Sequence, residues 1–335
     1  MISSIDTPLL SVEDLCVTLG GQQIVDRLSL SVAPGKTLAI VGESGCGKSV
    51  TALALMGLLP EGKHNKVEGS IRFEGRDLLA LKGQAMADLR GNRLAMIFQE
   101  PMTALNPVFR VGRQLTEAIV RHRGASEAEA RARAIELLGR VRVPEPEARL
   151  KAFPHELSGG MRQRVMIAMA LANDPALIIA DEPTTALDVT IQAQILALIA
   201  ELQRETGTAM ILITHDLGVV AEAADEVAVM YAGRIIEHAP IGELFDDPQH
   251  PYTLGLMGSA PSLGRRHGPL ATIPGTVPPP RLFVESCRFA PRCPFAVDPC
   301  RQERPPLRRL VGRHEVACLR APLETHIGLP ESLRV

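Results

Sequence analysis

The sequence predicts an α/β fold with a mainly parallel sheet, and two observations support this prediction. Short apolar runs typical of buried strands, at Thr37–Val41, Leu177–Ala180 and Met210–Ile213, alternate with helical periodicity over stretches such as Ile191–Glu205. Strands that alternate with helices form parallel sheets whose two faces are both covered. The length of 335 residues leaves room for a core of about 250 residues and an extension.

The segments around this core have different patterns. Leu10–Leu19 and Gln23–Val32 alternate apolar and polar residues, which predicts two strands. Residues 100–155 are mostly helical in pattern, and a capping box at Ser126 and Glu129 predicts the start of a helix. Beyond about residue 240 the prolines cluster, most densely at 277–280, which indicates a linker and a C-terminal extension.

Charge and hydropathy argue against several classes of protein. The formal net charge is −2, whereas chains that wrap nucleic acid usually carry a basic excess. No apolar run approaches the ~18 to 20 residues that span a bilayer. The first ten residues lack a basic start, an apolar stretch and a small-residue cleavage site, so they do not resemble a signal peptide. We therefore expect a cytoplasmic protein that reaches a membrane only by docking on another protein.

A glycine-rich turn between a predicted strand and a predicted helix carries the clearest chemistry. The strand Thr37–Val41 leads into Gly42-Glu43-Ser44-Gly45-Cys46-Gly47-Lys48-Ser49, followed by Val50, and this run fits G-x-x-x-x-G-K-[ST]. Glycines let backbone N–H groups surround phosphate oxygens, and the helix N-terminus adds partial positive charge. This predicts a nucleotide site in which Lys48 contacts the β- and γ-phosphates and Ser49 ligates Mg²⁺.

Five further motifs occur along the chain, and their order carries information. They are Gln99 after the strand Leu94–Phe98, Leu157-Ser158-Gly159-Gly160-Met161-Arg162-Gln163-Arg164, Ala176-Leu177-Ile178-Ile179-Ala180-Asp181-Glu182-Pro183, Ala186-Leu187-Asp188, and His215 after Leu212-Ile213-Thr214. With the phosphate loop they resemble the Q-loop, signature, Walker B strand, D-loop and switch histidine of ABC ATPases, in that family's order, over about residues 10–240. The resemblance implies a P-loop NTPase core with an antiparallel β subdomain, a helical insert at about residues 100–172 and a C-terminal extension.

The resemblance also implies a role for each polar residue. Asp181 would hold Mg²⁺ through water, and Glu182 would polarise the water that attacks ATP. His215 would contact the γ-phosphate. Gln99 would sense Mg²⁺, so the expected Mg²⁺ site consists of Ser49, Gln99 and Asp181. The expected catalytic residues are therefore Glu182, His215 and Gln99, and the expected cofactors are ATP and Mg²⁺.

The signature motif implies a head-to-tail dimer. Ser158-Gly159-Gly160 precedes a helix and would close on ATP held by a second subunit, with Asp188 also assigned to the nucleotide site. Two positions depart from the family pattern. Leu19 stands near the place where many members have an aromatic residue that stacks on adenine, so we expect loose base selectivity. Met161 replaces the most frequent glutamine, but methionine is common there in the peptide-importer branch.

Three stretches resemble that branch in particular. They are residues 96–107, His250-Pro251-Tyr252-Thr253, and Arg292-Cys293-Pro294-Phe295-Ala296. The resemblance implies an ATPase domain at 1–240, an extension at 241–335, and a position on the cytoplasmic side of the inner membrane. The implied partners are two transmembrane permease subunits, a second and related ATPase subunit, and an extracytoplasmic solute-binding protein, with no nucleic acid.

The solute itself is inferred by analogy only, since no part of an ATPase subunit contacts it. Di- or oligopeptides are the first hypothesis, and nickel or another small solute is the alternative. A soluble ABC ATPase acting on nucleic acid is disfavoured because the chain has one cassette and no heptad run. A regulatory protein with a vestigial ATPase is disfavoured because Lys48, Asp181, Glu182 and His215 are all present.

Four of the six cysteines lie in the last fifth of the chain, spaced C-x5-C-x6-C-x17-C at Cys287, Cys293, Cys300 and Cys318. Four thiolates suit either a [4Fe–4S] cluster or tetrahedral zinc. The spacing is wider than that of most structural zinc sites, and some relatives with this spacing carry a cluster, so we favour iron–sulfur over zinc or no metal. The arginine-rich segment that holds these cysteines is expected to be either a solvated tail or a contact for an acidic surface.

Overall fold

The computed structural model describes residues 7–100, 104–184, 189–259 and 273–325. The chain divides into two compact units. Unit 1 comprises the described residues of Met1–Leu10, Val32–Lys36 and Phe73–Ile213. Unit 2 comprises those of Ser11–Ser31, Thr37–Arg72 and Thr214–Val335. Each unit therefore combines segments that are far apart in the sequence.

The strands of the described residues are, in chain order, β1 Leu10–Leu19, β2 Gln22–Val32, β3 Thr37–Val41, β4 Lys66–Phe73, β5 Arg76–Asp77, β6 Leu94–Ile97, β7 Leu177–Asp181, β8 Ala209–Thr214, β9 Glu226–Tyr231, β10 Arg234–Pro240, β11 Arg308–Arg309 and β12 Glu315–Val316. The α-helices are α1 Lys48–Leu55, α2 Gln84–Leu89, α3 Val111–Arg123, α4 Glu127–Arg140, α5 Pro146–Arg149, α6 Gly159–Ala170, α7 Val189–Thr206, α8 Leu217–Ala223, α9 Ile241–Asp246, α10 Pro251–Ser259 and α11 Asp298–Gln302. Short 3₁₀ turns occur at Pro154–Glu156, Pro280–Leu282 and Leu323–Thr325.

Unit 1 is built on three parallel strands. β6 pairs with β7 from Leu94 opposite Leu177, and β7 pairs with β8 from Leu177 opposite Ala209. Every residue of β7 is buried, as expected for a strand covered on both faces. Helix α6 packs against β6 and against α3, α4 and α7, so the predicted helical insert rests on this sheet.

Unit 2 contains a second set of strands. β3 pairs with β9 in parallel, β9 and β10 pair antiparallel, and β10 continues through β12 to β11. A separate sheet has the strand order β2, β1, β4. Because β12 pairs with β10 through Glu237 opposite Val316, the C-terminal extension adds strands to the sheet that holds β3.

Most predicted elements are confirmed, including the capping box of α4. Ser126 Oγ accepts the N–H of Glu129 at 3.3 Å, and Glu129 Oε2 accepts the N–H of Ser126 at 2.9 Å. Helix α1, which the sequence predicts over Lys48–Leu59, ends at Leu55. Gly57 adopts a left-handed φ of 59°, and the N–H of Leu58 turns back to the Leu53 carbonyl at 2.8 Å, which closes the helix end. Among the described residues, no helix combines the length and apolarity needed to cross a membrane.

Candidate nucleotide-binding site

The phosphate loop joins the buried strand β3 to helix α1 in unit 2. Gly42 and Gly47 have φ values of 153° and 111°. A Cβ at Gly42 would lie 2.2 Å from the carbonyl oxygen of Met230, and one at Gly47 would lie 2.8 Å from the Met230 Cε. Both positions thus require glycine because strand β9 approaches the loop closely. This packing fixes the path of the backbone whose N–H groups would face phosphate.

Lys48 is the first residue of α1 and is only 5% exposed. Its Nζ donates to the carbonyl oxygens of Gly42 at 2.7 Å and Glu43 at 3.1 Å. The N-cap residue is Gly47, which has no side chain with which to cap the start of this helix. A buried ammonium group beside an uncapped helix N-terminus is suited to bind phosphate oxygens.

The loop cysteine is not set up for reaction. Cys46 is 1% exposed, and burial raises the pKa of its thiol above the ordinary value, although nearby Lys48 lowers it. The thiolate is the nucleophile, so a raised pKa makes the residue inert near neutral pH. Cys46 therefore acts as a small side chain that packs beneath the loop.

The proposed catalytic carboxylates lie in unit 1. Asp181 ends β7 and is 4% exposed. Glu182 follows it with φ of 45°, and its N–H donates to the Ile213 carbonyl at 2.9 Å. Gln99, which follows β6, donates from Nε2 to Glu182 Oε2 at 3.2 Å. The parallel pairing of β6 and β7 brings Gln99 to Glu182.

The signature segment begins helix α6, also in unit 1. Ser158 is its N-cap and accepts the N–H of Met161 at 3.4 Å. Ser158 and Gly159 are exposed, which leaves them accessible to a second subunit. Gly160 lies under Ile191 of α7, where a Cβ would come within 3.3 Å of Cγ2.

A further residue of this segment carries a contact that sequence reasoning missed. Gln163 is 2% exposed and its Nε2 donates to the carbonyl oxygen of Pro183, directly after Glu182. Helix α6 is thereby bonded to the loop that carries the proposed catalytic carboxylate of Glu182. Gln163 stands between Arg162 and Arg164 in the sequence, so the local pattern does not indicate that its side chain is buried.

His215 and the D-loop complete the set of predicted residues. His215 follows β8 and is exposed. The next residue, Asp216, caps helix α8 by accepting the N–H groups of Gly218 at 2.8 Å and Val219 at 3.4 Å. This cap fixes the backbone immediately after His215. Asp188, with Ala186 and Leu187, and residues 101–103 of the Q-loop stretch lie outside the described residues.

The four C-terminal cysteines line one small cavity in unit 2. Burial raises the pKa of Cys287, and it raises the pKa values of Cys293 and Cys318 to about 11. Backbone N–H groups of Phe289, Ala290, Phe295 and Arg320 face three of the sulfur atoms. Such N–H groups stabilise thiolates and cluster sulfurs. However, the described side chains place no three His, Cys, Asp or Glu groups close enough together to hold a metal ion.

Several arginines of the C-terminal segment point inward, which differs from a solvated tail. The side chains of Arg288 and Arg292 are 4% and 8% exposed. Arg234, Arg288 and Arg304 surround the buried carboxylate of Asp26, with N–O distances of 2.7, 2.7 and 3.4 Å. Part of the basic charge of this segment therefore holds the extension against strand β2.

Comparison with known families gives two matches that follow one another along the chain. Residues 25–185 match the model of the family described as ABC transporter. Residues 236–300 match the family described as oligopeptide/dipeptide transporter, C-terminal region. The first match contains the phosphate loop and the Walker B strand, and the second begins in β10.

Full-length relatives decide the family. A probable peptide ABC transporter ATP-binding protein of Sinorhizobium fredii is 54% identical over 93% of this chain and 95% of its own length. The chain belongs to the ABC transporter ATP-binding proteins. A putative peptide import ATP-binding protein of Brucella abortus is 48% identical over 96% of this chain and 98% of its own length. The chain also matches the OppD oligopeptide transport protein of Mycobacterium tuberculosis at 48% identity, but covers 54% of that longer protein.

Solved ABC cassettes share the fold of this ABC protein. A dimeric cassette in a post-hydrolysis state with ADP and Pi aligns with a TM-score of 0.62 and 27% identity, over 69% of this chain and 98% of that one. CbiO1 of Clostridium perfringens aligns with a TM-score of 0.61 and 28% identity, over 71% and 90%. The α/β prediction and the P-loop NTPase core are thus confirmed. As an ABC ATP-binding subunit the protein is an ATPase, and ATP with Mg²⁺ is its substrate complex.

Proposed function

We propose that this chain is the ATP-hydrolysing subunit of an ABC importer for di- and oligopeptides. The observation that carries the proposal is the C-terminal match at residues 236–300 to a region described for oligopeptide and dipeptide transporters. The names of the relatives from Sinorhizobium and Brucella support it. We retain the division into an ATPase domain at 1–240 and an extension at 241–335 as part of this proposal.

In this proposal the site residues act as follows. The loop Gly42–Ser49 with Val50 binds the phosphates, and Lys48 neutralises their charge. Ser49, Gln99 and Asp181 hold Mg²⁺, the last through water. Glu182 polarises the attacking water, and His215 contacts the γ-phosphate. Ser158-Gly159-Gly160 and Asp188 serve the nucleotide of a second ATPase subunit, which is a related but different chain.

Membrane partners are supported by apolar exposure near the Q-loop. Phe98 is 38% exposed and Val108 is 70% exposed, on either side of the stretch that follows Gln99. Asn106 is fixed there, because Gln114 Nε2 donates to its carbonyl at 3.0 Å and Gln114 Oε1 accepts its N–H at 2.9 Å. We propose that this surface docks on permease subunits at the cytoplasmic side of the inner membrane, with an extracytoplasmic binding protein delivering the solute.

A gentle detergent pull-down from the native membrane, followed by mass spectrometry, tests the assembly. Two multi-span permeases and a second ATPase are expected. Recovery only from the soluble fraction with ribosomal or nucleic-acid partners would overturn the importer while leaving the ATPase intact. Phe98→Ser with Val108→Ser should release the permeases, and Val311→Ser, at a position 79% exposed in the C-terminal extension, is the matched control.

Uptake of labelled dipeptide, tetrapeptide and Ni²⁺ by cells tests the solute. Cells with wild-type protein should accumulate a labelled peptide, and cells carrying Lys48→Ala should not. Nickel uptake that depends on Lys48 without any peptide uptake would select the alternative solute.

We further propose that Cys287, Cys293, Cys300 and Cys318 hold a [4Fe–4S] cluster, with zinc as the alternative. Four thiolates can ligate either a [4Fe–4S] cluster or zinc. The four side chains would have to reorient to do so, because no three of the described His, Cys, Asp or Glu groups lie close enough together to hold a metal ion. Bound iron would be structural or regulatory, because no residue of hydrolysis lies among them. Anaerobic purification should yield about four irons per chain and broad visible absorption. Both should be lost in Cys293→Ser and kept in Cys16→Ser; bound zinc, or no metal, would refute the cluster.

A further inference from the structure

The C-terminal segment holds one residue of the phosphate loop at two points. The N–H of Glu43 donates to the phenol oxygen of Tyr252 at 2.8 Å, and Arg292 Nη1 lies 3.1 Å from the Glu43 carboxylate. Tyr252 and Arg292 are 209 and 249 residues further along the chain. Glu43 occupies an x position of G-x-x-x-x-G-K-[ST], so the motif itself does not require these contacts.

Both holding residues are themselves rigidly placed. The Arg292 guanidinium donates to the carbonyl oxygens of Ile273 at 3.3 Å, Pro274 at 2.8 Å and Gly275 at 3.1 Å. Tyr252 is fully buried, with its ring centroid 4.7 Å from that of Tyr231. A side chain that packing and several hydrogen bonds already hold in one conformation loses little further conformational entropy when it fixes a partner in place.

The same loop residue reaches the phosphate-binding lysine on its other side. Lys48 Nζ donates to the Glu43 carbonyl at 3.1 Å, while Tyr252 accepts from the Glu43 N–H. The conformation of Glu43 is therefore determined jointly by the lysine and by the C-terminal segment. Displacing Glu43 would move a carbonyl partner of Lys48 and tilt the neighbouring loop N–H groups.

We infer that Tyr252 and Arg292 are positioning residues for ATP binding, which hold the phosphate loop through Glu43 in the geometry that accepts phosphate. Neither residue touches a reacting atom, so they act equally on bound ATP and on the transition state. Interactions of that kind change KM and leave kcat nearly constant. The inference rests on the ATPase activity and is independent of the transported solute.

The test uses the full-length protein in its purified transporter complex, with ATP as the varied substrate. Arg292→Met and Tyr252→Phe should each raise KM for ATP about tenfold, with kcat within about twofold of wild type. Arg292→Lys, which retains the positive charge on a single donor nitrogen, should recover part of the loss. Arg309→Met is the matched control, because Arg309 is exposed and pairs with Glu315 at 3.7 Å, away from the loop.

Combining Arg292→Met with Glu43→Gln identifies the route of action. If Arg292 acts through Glu43, the double variant should bind ATP no more weakly than the worse single variant. Additive losses would overturn the inference, as would unchanged KM in both Arg292→Met and Tyr252→Phe. A fall in kcat and thermal midpoint with KM unchanged would show that the two residues only stabilise the fold. Arg292→Lys and Tyr252→Phe keep the test decisive if Arg292→Met fails to fold.

Discussion

Glu182 combines an uncommon backbone with a proposed chemical role. Its φ of 45° costs on the order of 1 kcal/mol for a residue with a side chain, and the N–H bond to Ile213 keeps the backbone in place. The side chain meets Gln99 Nε2 at 3.2 Å. The structure thus fixes the carboxylate from both its backbone and its side chain, which is the arrangement expected for a group that orients water.

Replacing Glu182 with Gln should separate binding from hydrolysis. The variant keeps its shape and its bond to Gln99 but loses the carboxylate, so phosphate release should fall about 10² to 10⁴-fold. Equilibrium binding of ATP should remain within about threefold of wild type. Full turnover by Glu182→Gln would refute the proposed role, and Glu156→Gln, an exposed residue of unit 1, is the control.

Cys46 should resist alkylation despite its place in the phosphate loop. Burial raises the pKa of its thiol, and the side chain is 1% exposed, so little thiolate is present or reachable at pH 7. Brief treatment with N-ethylmaleimide should label Cys16, which is partly exposed, before Cys46. Peptide mass analysis alongside an ATPase assay measures this; rapid labelling of Cys46 with loss of activity would contradict it.

At the residue scale, sequence reasoning found the groups whose chemistry is read from local motifs. Lys48, Asp181 and Glu182 sit at the predicted strand and helix ends. It gave no role to Gln163 or Arg292, because each makes its decisive contact with a residue distant in sequence. A side chain that donates to a remote carbonyl or carboxylate leaves no periodic pattern in the chain.

At the scale of elements, helix α3 shows how close packing restricts one position. A Cβ at Gly112 would lie 2.7 Å from the carbonyl oxygen of Leu150, at the end of α5. The N–H of Gly112 also donates to that carbonyl at 2.9 Å. Glycine is therefore required where α3 begins, although glycine usually weakens a helix.

Alanine substitutions at two helical glycines should have opposite effects. Gly112→Ala should lower the free energy of unfolding by about 1 to 3 kcal/mol, because the backbone must shift to admit Cβ. Gly139→Ala in α4 is the matched control, since its Cβ would meet nothing within 4 Å. It should raise stability by about 0.5 to 1 kcal/mol. Urea unfolding measures both changes in the free energy of unfolding. If both changes had the same sign, the contact of α3 with Leu150 would not require glycine at position 112.

Helices and strands whose ends are set by neighbouring residues could be predicted from the sequence. The capping box of α4 and the strand and turn before α1 depend on neighbouring residues, so their positions were predictable. The short pairing of β11 with β12 could not be predicted from two-residue strands. The pairing of β12 with β10 joins residues that are far apart in the sequence, so local patterns could not indicate it either.

On the scale of the whole molecule, Asp26 links the first strands to the C-terminal extension. It is 2% exposed and meets guanidinium groups of Arg234, Arg288 and Arg304. Burial alone would raise the pKa of Asp26, but the three arginines hold it below its ordinary value. Burial, together with the positive charge of Arg234, lowers the pKa of Arg288 to about 10. Asp26 is therefore the buried anion of a cluster of positive charge drawn from distant parts of the chain, and the exposed Glu285 pairs with two of its members.

Removing that carboxylate should loosen the extension. Asp26→Asn removes the buried anion of this cluster and leaves the exposed Glu285 to pair with Arg234 and Arg304, which should lower the free energy of unfolding by about 3 kcal/mol. Limited proteolysis should then cut sooner within residues 280–310. Asp298→Asn is the control, because its side chain is 91% exposed and pairs with Arg301 at 3.9 Å. Unchanged stability and protease resistance in Asp26→Asn would refute the linking role.

Two histidines make the stability of unit 2 respond to pH in opposite directions. Burial lowers the pKa of His250 to about 3, so its stabilisation is present above pH 6.5 and is lost as the pH falls from 6.5 towards 3. For His314, burial would lower the pKa, but the hydrogen bond to Glu237 raises it, so its stabilisation is lost as the pH rises through the raised value.

His250→Asn should remove much of the loss of stability on acidification. Asparagine can still accept the N–H of Tyr252, which His250 Nδ1 accepts at 3.0 Å, but it does not titrate. Thermal midpoints measured at pH 5 and pH 7.5 should differ less in the variant than in wild type. His64→Asn, an exposed histidine, is the control. An unchanged pH difference in His250→Asn would contradict the assigned origin.

The contact between Glu43 and Arg292 has a consequence for anyone who trims this protein for biochemistry. A fragment ending near residue 240 would contain every motif by which ATPase cassettes are recognised, yet it would lack Tyr252 and Arg292. In the fragment the phosphate loop would lack the contacts of Glu43 with these two residues, so its affinity for ATP would differ from that of the intact protein. Inhibitors compared on the fragment would bind a nucleotide site of different shape. Kinetic constants for this protein should be measured on the intact chain.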